Sequence, residues 1–81
     1  EMTRPELFEM FQRMATEIAE KDFSDVTEDS NIQELGLDSL STLELVGAME
    51  RELDVQIPDE QLVGIQTVAQ LLELVEKRMS A

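Results

Sequence analysis

Ser39 is the side chain in this sequence best placed for covalent chemistry. It sits in Gly36-Leu37-Asp38-Ser39-Leu40, at the mouth of an apolar periodicity that predicts a helix to about Leu53. The first turn of a helix carries N–H groups with no intrahelical partner, and the aligned peptide dipoles favour negative charge there. A phosphate ester on the Ser39 hydroxyl would therefore land in a site already suited to an anion. Ser and Asp also crowd helix starts simply as caps, and spacing alone favours that ordinary role. Other chemistry is scarce. The chain has no cysteine and no histidine, which removes thiolate nucleophiles, disulfides, the commonest general base and the commonest metal ligands. No catalytic residue and no metal site is assigned.

The elements that must position Ser39 are helical. Thr3-Arg4-Pro5-Glu6 combines a cap, a first-turn proline and a capping box. Leu7, Phe11, Met14 and Ile18 then recur at helical spacing, widened by Phe8, Ala15 and Ala19, which predicts a first helix over 4–20. Periodicity lapses from Lys21 to Asp38, where Ser24 to Asn31 are rich in turn formers. A connection longer than ~12–15 residues is unusual unless functional or internally structured. Phe23, Val26, Ile32, Leu35 and Leu37 are spaced to pin this one onto the helices, with a short turn over Asn31 to Leu35. As a calcium loop starting at Asp25 it fails, because Ser30 stands where glycine is needed and Gly36 where the bidentate glutamate belongs. Its acids read as a solvated loop.

Gly36 predicts a tight, left-handed turn before the second helix. Asp38 can cap that helix, and Ser41 with Glu44 offers another capping box, which leaves its first residue open. Leu45, Val46, Met49 and Leu53 share a core face. Leu40, Leu43, Glu44, Gly47, Glu50 and Arg51 fall toward the opposite side. Val55 and Ile57 read as buried link positions. Asp59 then caps a short helix through Leu62 and Val63, which Gly64 terminates, and Ile65 faces the second helix near Ser39. Thr67 with Gln70 opens the last helix, whose core stripe is Val68, Leu71, Leu72, Val75 and Met79. With no strand-like alternation, the expectation is all-α: one domain over 1–81, three main helices plus one short helix, and a long loop between the first two.

The string from Leu35 to Val46 resembles the attachment site of acyl carrier proteins, where the serine of Asp-Ser-Leu bears 4′-phosphopantetheine. Asp54-Val55-Gln56-Ile57-Pro58-Asp59-Glu60 is similar to that family's link between its second and third helices, and Thr67-Val68 to the start of its last helix. The resemblance implies a covalent arm on Ser39, derived from coenzyme A, with Asp38 and Leu40 beside it. It also implies a recognition face on the second helix, in which Asp38, Glu44 and Glu50 match acidic positions, joined by Leu40, Leu43, Gly47, Arg51 and Ile65. The implied partners are a phosphopantetheinyl transferase and acyltransferase, ketosynthase or other acyl-processing enzymes with basic docking patches. Fatty-acid-type members often carry acids where this chain has Ser41 and Arg51, and a larger apolar residue where it has Gly47. That less acidic, flatter face tilts the expected pathway from fatty-acid synthesis toward polyketide or related specialised biosynthesis. A Gly-Gly-x-Ser site typical of peptidyl carriers is absent.

Charge agrees with a protein-binding role. Nineteen acidic and six basic residues give a formal charge of −13, which repels nucleic acid and draws basic partner surfaces. No apolar run approaches the ~20 residues needed to span a bilayer, and no secretory signal is present. Met2, after Glu1, reads as the natural start of a monomeric, cytoplasmic protein. A loosely packed interior, to which the five methionines would lend adaptability, could shelter part of an acyl chain between the second and third helices. The alternative from another class is an acidic helical adaptor without a prosthetic group.

Overall fold

The first helix begins where Thr3 and Glu6 form the expected reciprocal box. The Thr3 N–H donates to Glu6 Oε1 at 2.8 Å and the Glu6 N–H to Thr3 Oγ1 at 3.3 Å. In the computed structural model, which describes residues 2–80, α1 runs Arg4–Ala19. It stops one residue before the expected end because Glu20 adopts a left-handed φ of 56° and returns its N–H to the Thr16 carbonyl, closing the last turn. Met10, which the predicted stripe omitted, is only 4% exposed, while Phe8, Ile18 and Ala19 pack at the edge of the core.

Helix α2 runs Ser39–Leu53 with Asp38 as its cap. The second box offered by Ser41 and Glu44 does not form, since Ser41 already lies in the first turn and donates its own N–H to Asp38 Oδ1 at 2.8 Å. Leu45, Val46 and Met49 are buried as expected, whereas Leu53 is half-buried. The short third helix narrows to a 3-10 turn, Asp59–Leu62. Asp59 is not its cap. Pro58 occupies that position without a side-chain hydrogen bond, and Val63 has already left helical geometry at φ −64°, ψ 128°. Gly64 then turns the chain at φ +87°, a conformation that costs a non-glycine residue strain. Helix α3, Val68–Met79, opens with the predicted Thr67–Gln70 box. These elements make an all-α bundle of three helices and one short turn.

The long connection over residues 20–38 is ordered by what it does for α3. Ser30 and Glu28 offer carbonyls to the Val68 and Ala69 N–H groups at 3.0 and 2.8 Å, and the Ile32 N–H donates to the Gln66 carbonyl at 2.8 Å. An isolated antiparallel bridge joins Asn31 and Thr67. The predicted turn is present, with the Glu34 N–H on Asn31 Oδ1 and the Leu35 N–H on the Asn31 carbonyl. Phe23, Val26, Ile32 and Leu37 are buried in the core that α1, α2 and α3 share. Arg4 draws in Glu28 Oε1 at 2.8 Å and Glu76 Oε1 at 3.1 Å, tying the start of α1 to both the loop and α3. Burying each such apolar anchor contributes about 1.5–3 kcal/mol, far more than the surface ion pairs.

Candidate functional site

Two adjacent residues bring Ser39 to the surface by opposite means. Gly36 turns at φ +92°, its N–H donating to the Gln33 carbonyl at 2.9 Å. Leu37 then plunges into the core with no exposed surface. The chain re-emerges at Asp38, whose extended backbone and Oδ1 hydrogen bond to the Ser41 N–H set the axis of α2. Hydrogen bonds from the Ser41 backbone, then its hydroxyl and the Leu40 amide, hold the Asp38 carboxyl below its ordinary range. It is therefore ionised at neutral pH, with its charge already engaged by the helix start.

Ser39 is the first helical residue and is exposed. Among the described residues, neither its hydroxyl nor its amide has a hydrogen-bond partner. Beside it opens a cleft of about 350 Å³ between α2, the preceding loop and the 3-10 turn. Thr42 and Leu43 line it from α2, Leu37 forms part of its floor, and Leu62, Val63 and Ile65 form the facing wall. An exposed, uncommitted hydroxyl on an open helix N-terminus, next to a partly apolar cleft, suits a phosphodiester-linked arm in both charge and space. The residues present fit a phosphopantetheine group.

The residues predicted for this face divide. Asp38, Ser39, Leu43 and Ile65 meet around the cleft. Leu40 lies outside the lining but stands 68% exposed next to Ser39, and Leu43 is 47% exposed. Glu44 and Arg51 are exposed. Gly47 is half-buried, and a Cβ there would meet nothing nearer than Arg51 Nη1 at 3.5 Å. Glu50 departs from the expectation of a freely presented acid. It is half-buried, and its Oε2 accepts the Ile57 N–H at 2.7 Å, because the link folds back along the last turns of α2. Val63, expected in the short helix, is instead 83% exposed on the cleft wall. No local signal marks it, since left-handed Glu20 and Asp54 directly follow the helical Ala19 and Leu53 in the same way.

The model of the phosphopantetheine attachment site family matches residues 11–75. An acyl carrier protein of Prochlorococcus marinus is 37% identical over 78 residues, covering 95% of this chain and 98% of its own length. One of Guillardia theta is 36% identical over 81 residues, covering 99% and 100%. One of Saccharopolyspora erythraea is 38% identical over 74 residues, covering 90% and 78%. The crystal structure of an acyl carrier protein from Thermotoga maritima superposes with a TM-score of 0.88 at 34% identity, over 95% of this chain and 91% of that one. Likeness of this extent, in sequence and in fold, accounts for a chain that carries rather than catalyses and takes its reactive group from phosphopantetheine, held covalently: it belongs to the acyl carrier protein family.

Proposed function

We propose that Ser39 bears the phosphopantetheine arm and that the chain, a cytoplasmic monomer, carries acyl intermediates between enzymes of polyketide or related specialised biosynthesis. The observation that carries the assignment is the exposed Ser39 hydroxyl, without a partner, at the open start of α2 beside the cleft. Most hydroxyls elsewhere are engaged locally, Thr3 and Thr67 in capping boxes, Thr16 on the Gln12 carbonyl and Ser24 on Asp22. The exposed Ser80 stands at the C-terminal end of α3, where the helix dipole disfavours a phosphate. When bound, the arm supplies a terminal thiol able to hold acyl groups as thioesters, chemistry that a chain without cysteine lacks.

The chain's own residues do the rest. Asp38 orients the first turn so that its dipole and free amide face the phosphodiester on Ser39. Leu62 and Ile65 give the cleft an apolar wall for part of an acyl chain. Leu40, Leu43 and Val63 are the large apolar side chains standing exposed among the described residues, and they cluster at this end of α2. Together with Asp38 and Glu44 they suit partners that present an apolar contact framed by basic side chains. The phosphopantetheinyl transferase and acyltransferase or ketosynthase partners would meet this face. Arg51 and Gly47 leave its far end less acidic and flat, which supports the polyketide-type reading.

Intact mass after incubation with coenzyme A and a broad-specificity phosphopantetheinyl transferase tests the site. The parent gains one phosphopantetheine and Ser39→Ala gains none. An unmodified, folded parent that gains nothing would leave the acidic adaptor as the better account. Preferential loading by acyltransferases of fatty-acid synthesis would overturn the pathway assignment.

A further inference from the structure

We propose, resting on the Ser39 assignment, that Glu50 is a positioning residue. Its carboxylate serves as a hydrogen-bond acceptor that sets the cleft wall facing Ser39, and not as a charge read by partners. The residue grips the link after α2 twice. Its carbonyl accepts the N–H of Asp54 and, at 3.1 Å, that of Val55. Its carboxylate reaches past them to the Ile57 N–H at 2.7 Å.

Ile57 is only 3% exposed, so its amide lies at the edge of the core, where a lost acceptor is poorly replaced by water. The 3-10 turn that follows has little hold of its own, since Pro58 caps it without a side-chain hydrogen bond. Ile57 anchors its near end, as the Ile32 N–H on the Gln66 carbonyl anchors the far one, and between them the turn delivers Leu62, Val63 and Ile65 to the cleft. From the other side, Arg78 Nε donates to the Gln56 carbonyl at 2.8 Å, so α2 and α3 hold the link between them. Glu44, by contrast, is exposed on α2 and makes no side-chain hydrogen bond among the described residues.

Acceptor and charge are separable, because a carboxamide oxygen accepts an N–H but carries no charge. Three readouts suffice: amide hydrogen exchange at Ile57, the amide resonances of Leu62 to Ile65, and the rate of arm attachment by a phosphopantetheinyl transferase with coenzyme A. Glu50→Gln is expected to keep Ile57 protected and the rate within about twofold, while Glu50→Ala speeds exchange at Ile57 by about tenfold or more. Glu50→Ala also slows attachment and shifts the amide resonances of Leu62 to Ile65. Glu44→Gln leaves Ile57 protected and slows attachment through lost charge. A Glu50→Gln chain that keeps Ile57 protected yet loads as slowly as Glu50→Ala would overturn the proposal. So would a Glu50→Ala chain with unchanged exchange and resonances. Glu50→Gln decides the matter alone if Glu50→Ala does not fold. A parent that gains no arm would sink the Ser39 assignment, while Ile57 exchange and the Leu62 to Ile65 resonances would still decide the role of Glu50.

Discussion

At the start of α3 the first three amides are all taken. Val68 and Ala69 donate to loop carbonyls and Gln70 to the Thr67 hydroxyl, while the Gln70 side chain caps the Thr67 N–H in return. At the start of α2 the Asp38 carboxylate takes the Ser41 amide, and the Ser39 amide has no protein partner among the described residues. Both segments are short polar entries into apolar helices. One is plugged by the long loop and the other is left facing a cleft. A closed helix start is structural glue, whereas the start of α2 keeps a free amide beside a cleft, which supports the phosphate site proposed there.

Substituting the two starts separates these roles. The largest effect is expected from Ser39→Ala, where arm attachment drops from complete to nil by intact mass while the thermal midpoint hardly moves, as for other exposed polar changes. Thr67→Ala should do the reverse. Loss of that cap costs about 1 kcal/mol and lowers the midpoint by roughly 4–8 °C, read by circular dichroism, with loading unchanged. Gly47→Ala sharpens the contrast from the other direction, since α2 carries a glycine in its interior and α1 and α3 carry none. The added methyl meets only Arg51 Nη1 at 3.5 Å, so stability should rise by about 0.5–1 kcal/mol in a thermal or urea melt.

The smallest expected effect is in acid. Asp38 is held below its ordinary range first by the Ser41 amide, and Glu6 by the Thr3 amide. A carboxyl lowered in the folded state contributes stability that is fully present above its unfolded value, about 3.9 for Asp, and is lost as pH falls through the folded value. The gap in midpoint between the parent and Asp38→Ala should therefore shrink below about pH 4. The gap between the parent and Gln70→Ala should not shrink from titration of that box, since neither Thr67 nor Gln70 titrates.

Much of this arrangement was legible in the chain because it is local. Thr3 with Glu6, Thr67 with Gln70, Asp38 before Ser39, and Gly36 and Gly64 at their turns all act within four residues of themselves. Apolar spacing likewise marks the buried stripes, although it omits the buried Met10 and puts the half-buried Leu53 in the core. What failed was assignment of a side chain by its face alone. Glu50 and Glu44 share the polar side of a helical wheel, yet one is spent on Ile57 and the other is free.

By itself, then, the sequence determined where α1 and α3 start, most of the buried stripes, and that the chain has no thiol or imidazole of its own, since no cysteine or histidine is present. Only the tertiary structure decided which helix start stays open, how Glu50 is used, and that Val63 stands out on the cleft wall. The physical reason is one of range. Capping, turn conformation and amphipathic spacing are settled by near neighbours, whereas the plug on α3, the acceptor for Ile57 and the exposure of Val63 depend on segments that meet only when the chain folds.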